Sequence, residues 1–170
     1  MSALPDPSLH SVLREIVLEH VFIGEVLRCL WQRNITDVEV LRSEFDAGGY
    51  DLVLARGALT RHIQLKTLLD TGKRAHFDLG LRLAARESGC VVVIVVDERL
   101  DITGFRWFGS PAGQALPDIS SFPEGRHTKG DASGNKAARP AMRRVPLSRF
   151  DRVADVPGLL TLLLGETISI

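Results

Sequence analysis

The chain has 170 residues, of which 45% are hydrophobic and 25% charged, the size and composition of a single globular domain with one sizeable core. That composition excludes disordered, collagenous and fibrous classes. Its 21 Lys and Arg residues balance 21 Asp and Glu residues, so no global field holds the protein on a polyanion, and a nucleic-acid partner has to be met by a local basic patch.

A lead-in containing Pro5 and Pro7 precedes a stretch from about Ser8 to Arg33. Its apolar positions Val12, Leu13, Ile16, Val17, Ile23, Leu27, Leu30 and Trp31 recur with a 3.6-residue period and predict one long amphipathic helix. Residues 38–45 (VEVLRSEF) alternate apolar and polar, Asp46-Ala47-Gly48-Gly49 has turn chemistry, and residues 50–55 (YDLVLA) resume as a second strand. Arg56-Gly57-Ala58 turns the chain again into residues 61–67 (RHIQLKT), completing a three-stranded meander. The apolar content of residues 76–88, with Gly89 placed as a stop, predicts a second helix. Residues 90–96 (CVVVIVV) read as a central strand covered on both faces. Residues 105–108 and 145–150 are further strand candidates, residues 157–164 predict a short helix, and the Gly-, Pro- and Ser-rich stretch from 110 to 140 reads as a long loop. The two Trp and seven Phe residues show no spaced pattern for stacking bases and are expected in the core.

Cys29 and Cys90 lie inside apolar runs and are expected as buried free thiols. There is no Cys-x-x-Cys pair, no basic-then-apolar leader in residues 1–10 and no apolar stretch near 18 residues, so the chain reads as a soluble cytoplasmic protein without a membrane partner. His10, His20, His76 and His127 have no zinc-ligand spacing.

The residues that can carry chemistry converge on the meander. Gln64 and Lys66 are two apart on the third strand and share a face, while Asp51 opens the second strand; if the two strands pair, a carboxylate, an amide oxygen and an ammonium meet. In phosphodiester hydrolysis Asp51 and Gln64 would give oxygen ligands to Mg²⁺ (or Mn²⁺), with the backbone carbonyl of Leu65 nearby, and Lys66 would orient or deprotonate the attacking water. On a helical wheel Glu19 falls among Ile16, Phe22 and Ile23, within the apolar arc, where a carboxylate needs a cation, a metal-bound water or Lys66; Glu15 and Glu25 lie at or beyond its margin.

A helix bearing Glu19, a strand pair with Gly49-Tyr50-Asp51, and His62-Ile63-Gln64-Leu65-Lys66 followed by a helix and an apolar strand resemble the PD-(D/E)xK nuclease superfamily over about residues 10–97. The Gln-x-Lys variant resembles that of Mrr-like restriction endonucleases. The resemblance implies an α/β fold, an αβββαβ restriction-endonuclease-like core with a mixed central sheet flanked by helices. It also implies metal-dependent cleavage of nucleic acid, taken here as DNA, with Asp51, Gln64, Lys66 and a helix acid, Glu19 or Glu25, at the site. Phosphate contacts are expected from His62, Lys73 and Arg74, with Arg61 a further candidate beside the site. More are expected from a basic stretch in which Arg126, Lys129, Lys136, Arg139, Arg143, Arg144 and Arg149 face a single acid, Asp131. Gln64 brings no charge to a metal, so a second expectation is a nuclease-fold binding or interaction protein whose chemistry has lapsed. Cleavage of two strands favours two sites, and the apolar residues 159–164 with Ile168 and Ile170 make a homodimer interface the matching expectation.

Overall fold

The computed structural model describes residues 10–45, 47–126 and 137–165. Pro5 and Pro7, Asp46, His127, Lys129, Asp131, Lys136, Ile168 and Ile170, named above, lie outside the described residues. Helix α1 (Ser11–Gln32) leads into β1 (Val38–Arg42), β2 (Leu52–Arg56) and β3 (Leu59–Leu69), an antiparallel meander as the alternation predicts. The β-branched run forms β5 (Gly89–Val96), which pairs parallel with β3. β6 (Ile102–Gly109) and β9 (Asp151–Val153) follow antiparallel, giving a mixed six-stranded sheet of order β1-β2-β3-β5-β6-β9. The protein is therefore α/β. Among the described residues no helix is long and apolar enough to cross a membrane.

The parallel β3–β5 pair requires a crossover, and the chain makes it differently from expectation. Residues 76–88 are not one helix: β4 (His76–Gly80) is a strand and α2 (Leu81–Ala84) a single turn. Phe77 and Leu79 alternate with His76 and Asp78 at a period of two, which puts both apolar side chains on one face of a strand, and a helix would scatter them. β4 pairs with β8 (Ala138–Pro146), which pairs with β7 (Glu124–Arg126), forming a second, three-stranded sheet. Strand structure thus enters the 110–140 stretch at both β7 and the start of β8, and Leu116 and Ile119, ahead of β7, are buried. The expected strand at 145–150 ends at Pro146, which lacks the N–H to continue a ladder; residues 147–149 turn before β9.

The six-stranded sheet has apolar residues on both faces. On one side Leu52, Leu54, Ile63, Val92 and Ile94 meet Leu18, Phe22 and Val26 of α1 and the leucines of α3 (Val156–Leu164). On the other, Val91, Val93 and Leu68 pack on Phe77, Leu79, Leu83 and Val145 of the second sheet and α2. Cys29 and Cys90 are buried free thiols, as predicted. Leu159, Leu160, Leu163 and Leu164 are consumed by the protein's own core, so they do not offer the dimer surface expected of them. α1 docks through Leu18, Phe22, Val26, Cys29 and Leu30, whereas Val12, Leu13, Ile16, Val17, Leu27 and Trp31 are exposed. The helix is apolar on both sides, so its period predicts a helix without saying which side packs. Trp31 and Phe45, expected in the core, are 75% and 74% exposed.

Arg61, a candidate for phosphate binding, is wholly buried. Its guanidinium donates from Nε to the Leu163 carbonyl at 2.8 Å and from Nη2 to those of Leu162 and Ser110 at 2.6 and 2.9 Å, and it lies over the Trp107 ring. It satisfies carbonyls at the C-terminal end of α3, where cations are favoured, and ties that helix to the sheet.

Candidate metal centre

The register of the meander builds the site. Leu52 pairs with Ile63, so Asp51, one residue before it, stands across from Gln64; Val53 pairs with His62, which puts Asp51, Gln64 and Lys66 on one face. β2 pairing ends there. Asp51 donates its backbone N–H to the Ile63 carbonyl at 2.9 Å, and its carboxylate Oδ2 accepts the Leu65 N–H at 2.7 Å, a place in the ladder that a longer β2 would have filled. A strand residue's N–H and C=O leave on the same edge, so the Leu65 carbonyl faces the gap beyond β2 as well. Gly49, at φ 80°, makes the turn possible: a Cβ there would come within 3.1 Å of the Leu83 backbone nitrogen.

Asp51, Gln64, Leu65 and Lys66 line a cavity of about 450 Å³ together with Glu15 and Glu19 of α1, Arg14, Arg74 and Phe77. Gln64 is 5% exposed, and its Oε1 is buried with no hydrogen-bond partner among the described residues. A buried amide oxygen without a donor costs about 1–3 kcal/mol, so this acceptor calls for a donor or a cation that the described residues do not supply. The carboxylate of Asp51, the Gln64 amide oxygen and the Leu65 carbonyl form an all-oxygen set, which suits a hard divalent cation such as Mg²⁺ or Mn²⁺ and not zinc. Among the described residues no group of three or more His, Cys, Asp or Glu is placed to hold a metal, so one carboxylate with neutral oxygens is the set this site offers.

Glu19 reaches the cavity wall with its side chain 20% exposed and ion-pairs with Arg42 of β1. The partner required by a carboxylate in that position is therefore this guanidinium. Glu25 lies away from the site, on a different groove, and pairs with Arg28. Glu15, one turn before Glu19, also lines the cavity, as the i,i+4 spacing of the two acids allows; it stands at the margin of the apolar arc expected for α1, but the helix docks through a different arc.

The expected phosphate contacts divide. Arg74 lines the cavity with its guanidinium 4.9 Å from the Phe77 ring, and Lys73 is exposed beside it in sequence. His62 shares the face of Gln64 but lines another cleft; its Nδ1 is 3.1 Å from the Glu87 carbonyl and its ring lies 4.8 Å from that of Tyr50, tilted by 60°. Arg139, Arg143 and Arg144 stand on β8, none of them lining the cavity. Arg143 donates to the Ser120, Pro140 and Met142 carbonyls, and Arg144 is 3.7 Å from Asp78. Arg14 was missed, and no spacing in the sequence marks it out.

No protein-family model matches the chain, and no curated protein matches it.

Proposed function

We propose that the protein is a Mg²⁺- or Mn²⁺-dependent nuclease of PD-(D/E)xK type that hydrolyses phosphodiester bonds of DNA in the cavity between β2, β3 and α1. The observation that carries this reading is the buried Gln64 Oε1, which has no donor among the described residues and lines one cavity with Asp51 and Lys66. Asp51, Gln64 and the Leu65 carbonyl would hold the ion, which when bound supplies a Lewis acid for a phosphoryl oxygen and a more acidic water. The Leu65 N–H fixes the Asp51 carboxylate before any substrate arrives. Lys66, on the same face, orients the attacking water and in its neutral form accepts its proton. Arg74, held against Phe77, gives a cationic rim for the phosphate backbone. On this reading the working compartment is the cytoplasm, where the two buried cysteines stay reduced.

Purified protein incubated with supercoiled plasmid and millimolar Mg²⁺ or Mn²⁺ is expected to nick it, with chelator stopping the reaction. Lys66→Ala should lower the rate by about 10²-fold or more; cleavage at the wild-type rate would remove Lys66 from the mechanism. A second reading, a binding module whose chemistry has lapsed, is favoured by one observation: Glu19 is held by Arg42. Calorimetric titration separates the two, since a lapsed site gives no Mn²⁺ heat at millimolar metal while DNA or a protein partner still binds.

A further inference from the structure

The outward side of α1 carries more exposed apolar surface than any other element. Val12, Leu13, Ile16, Val17, Val21, Leu27 and Trp31 all face solvent, Leu13 at 60% and Trp31 at 75% exposure. Within this face Leu13, Val17, His20, Gly24, Leu27 and Trp31 follow at intervals of four, three, four, three and four residues, the 3.5-residue spacing of a helix–helix seam. The seam is palindromic about Phe22. Turned end for end upon itself, it places Leu13 against Trp31, Val17 against Leu27, and His20 against Gly24. A Cβ built on Gly24 meets nothing within 4 Å, so this position is open to solvent and leaves room for an imidazole from a facing helix. A parallel alignment instead sets Gly24 on Gly24 and Trp31 on Trp31, a void beside a collision.

We propose that this face of α1 is the interface of a two-fold homodimer, its seam packed antiparallel on the same seam of a second copy. The palindrome is what an isologous contact requires, because each residue's partner must be supplied by the same surface. The exposed fractions of Leu13, Val17, Val21, Leu27 and Trp31 leave on the order of 500 Å² of apolar surface per copy, in the upper part of the range of a monomer's largest patch and more than half of the ~800 Å² per partner of a standard interface. Arg28 at the margin is neutralised by Glu25 of its own helix, so the face has no net charge to recruit an acidic or polyanionic partner. Val12 and Ile16 at the edge of the face line the cavity of Asp51, Gln64 and Lys66, but the six seam residues do not, and the proposal stands apart from the nuclease reading.

Sedimentation velocity from about 1 to 100 µM protein should show the mass doubling, with a midpoint in the micromolar range expected of a modest interface. Leu13→Glu and Gly24→Leu should each return the protein to monomer. Because Leu is the better helix former, Gly24→Leu should also raise the thermal midpoint of the monomer, which separates lost association from a damaged fold. Oxidation of the double variant Val17→Cys, Leu27→Cys should join two chains, and Val17→Cys alone should not. A wild-type monomer at 100 µM, a dimer indifferent to both substitutions, or ready cross-linking by Val17→Cys alone would each overturn the proposal.

Discussion

Replacing Arg61 with Met takes three hydrogen bonds out of the middle of the fold while leaving an unbranched side chain over Trp107. Hydrogen bonds to a charged group contribute about 1.5–3 kcal/mol each, so the gross loss is roughly 4–9 kcal/mol. Part of this is returned, because the variant no longer buries a guanidinium; burial alone already lowers the Arg61 pKa, the sign that the charged form is held at a cost. The carbonyls of Ser110, Leu162 and Leu163 lose their charged donor, and the net destabilisation should be about 3 kcal/mol. For a domain of this length that lowers the melting temperature by roughly 6–12 °C. Urea unfolding followed by tryptophan fluorescence measures it, with an unchanged m-value showing that the same surface unfolds. Arg61→Lys keeps the charge but replaces the planar fork with a point donor, and should recover less than half of the loss. A loss below about 1 kcal/mol in Arg61→Met would refute the view that this guanidinium clamps α3 to the sheet.

Gln64→Glu adds a second carboxylate to the oxygen set and should tighten Mn²⁺ binding by about tenfold or more in calorimetric titration; unchanged affinity would place the ion elsewhere. Gly49→Ala forces a Cβ towards the Leu83 backbone at a φ of 80°, and should cost about 1–3 kcal/mol in denaturant unfolding while lowering plasmid cleavage by displacing Asp51. Burial pushes the Cys90 thiol up to about 12 despite the nearby Arg61 charge. Its folded pKa stands above its unfolded value, so its contribution is complete below about pH 8.5 and is lost as pH rises towards 12, at up to ~1.4 kcal/mol per pH unit. Urea midpoints between pH 8 and 10.5 should fall more steeply for the wild type than for Cys90→Val.

The antiparallel meander, the buried β5 run and the shared face of Asp51, Gln64 and Lys66 were legible because each depends only on two-residue alternation between neighbouring strands. Residues 76–88 were misjudged because Leu81, Leu83, Ala84 and Ala85 favour a helix locally, whereas pairing of β4 with β8, more than sixty residues on in sequence, decides their surroundings. Sequence distance likewise hides Arg61 among surface cations: two of its three carbonyl partners lie 101 and 102 residues away in α3 and the third, Ser110, lies 49 residues away, and no local pattern announces them. In α1 the period was right and the docked arc wrong, since the helix is apolar on both sides. The pairing of Glu19 with Arg42 shows the limit well: the need for a partner follows from the wheel, and the partner's identity follows from how α1 crosses β1.

The hydrogen bond from the Leu65 amide to Asp51 Oδ2 gives the site a built-in spectroscopic reporter. One backbone proton, on the edge of β3 that β2 has left while the other edge stays paired with β5, senses the electron density of the carboxylate that faces the cavity. Any proton or cation that draws on that carboxylate has to shift the Leu65 amide resonance and change its rate of exchange with solvent, while amides deeper in the same strand stay still. Occupancy of the site can thus be followed in ¹⁵N-labelled protein without substrate, turnover or an attached probe.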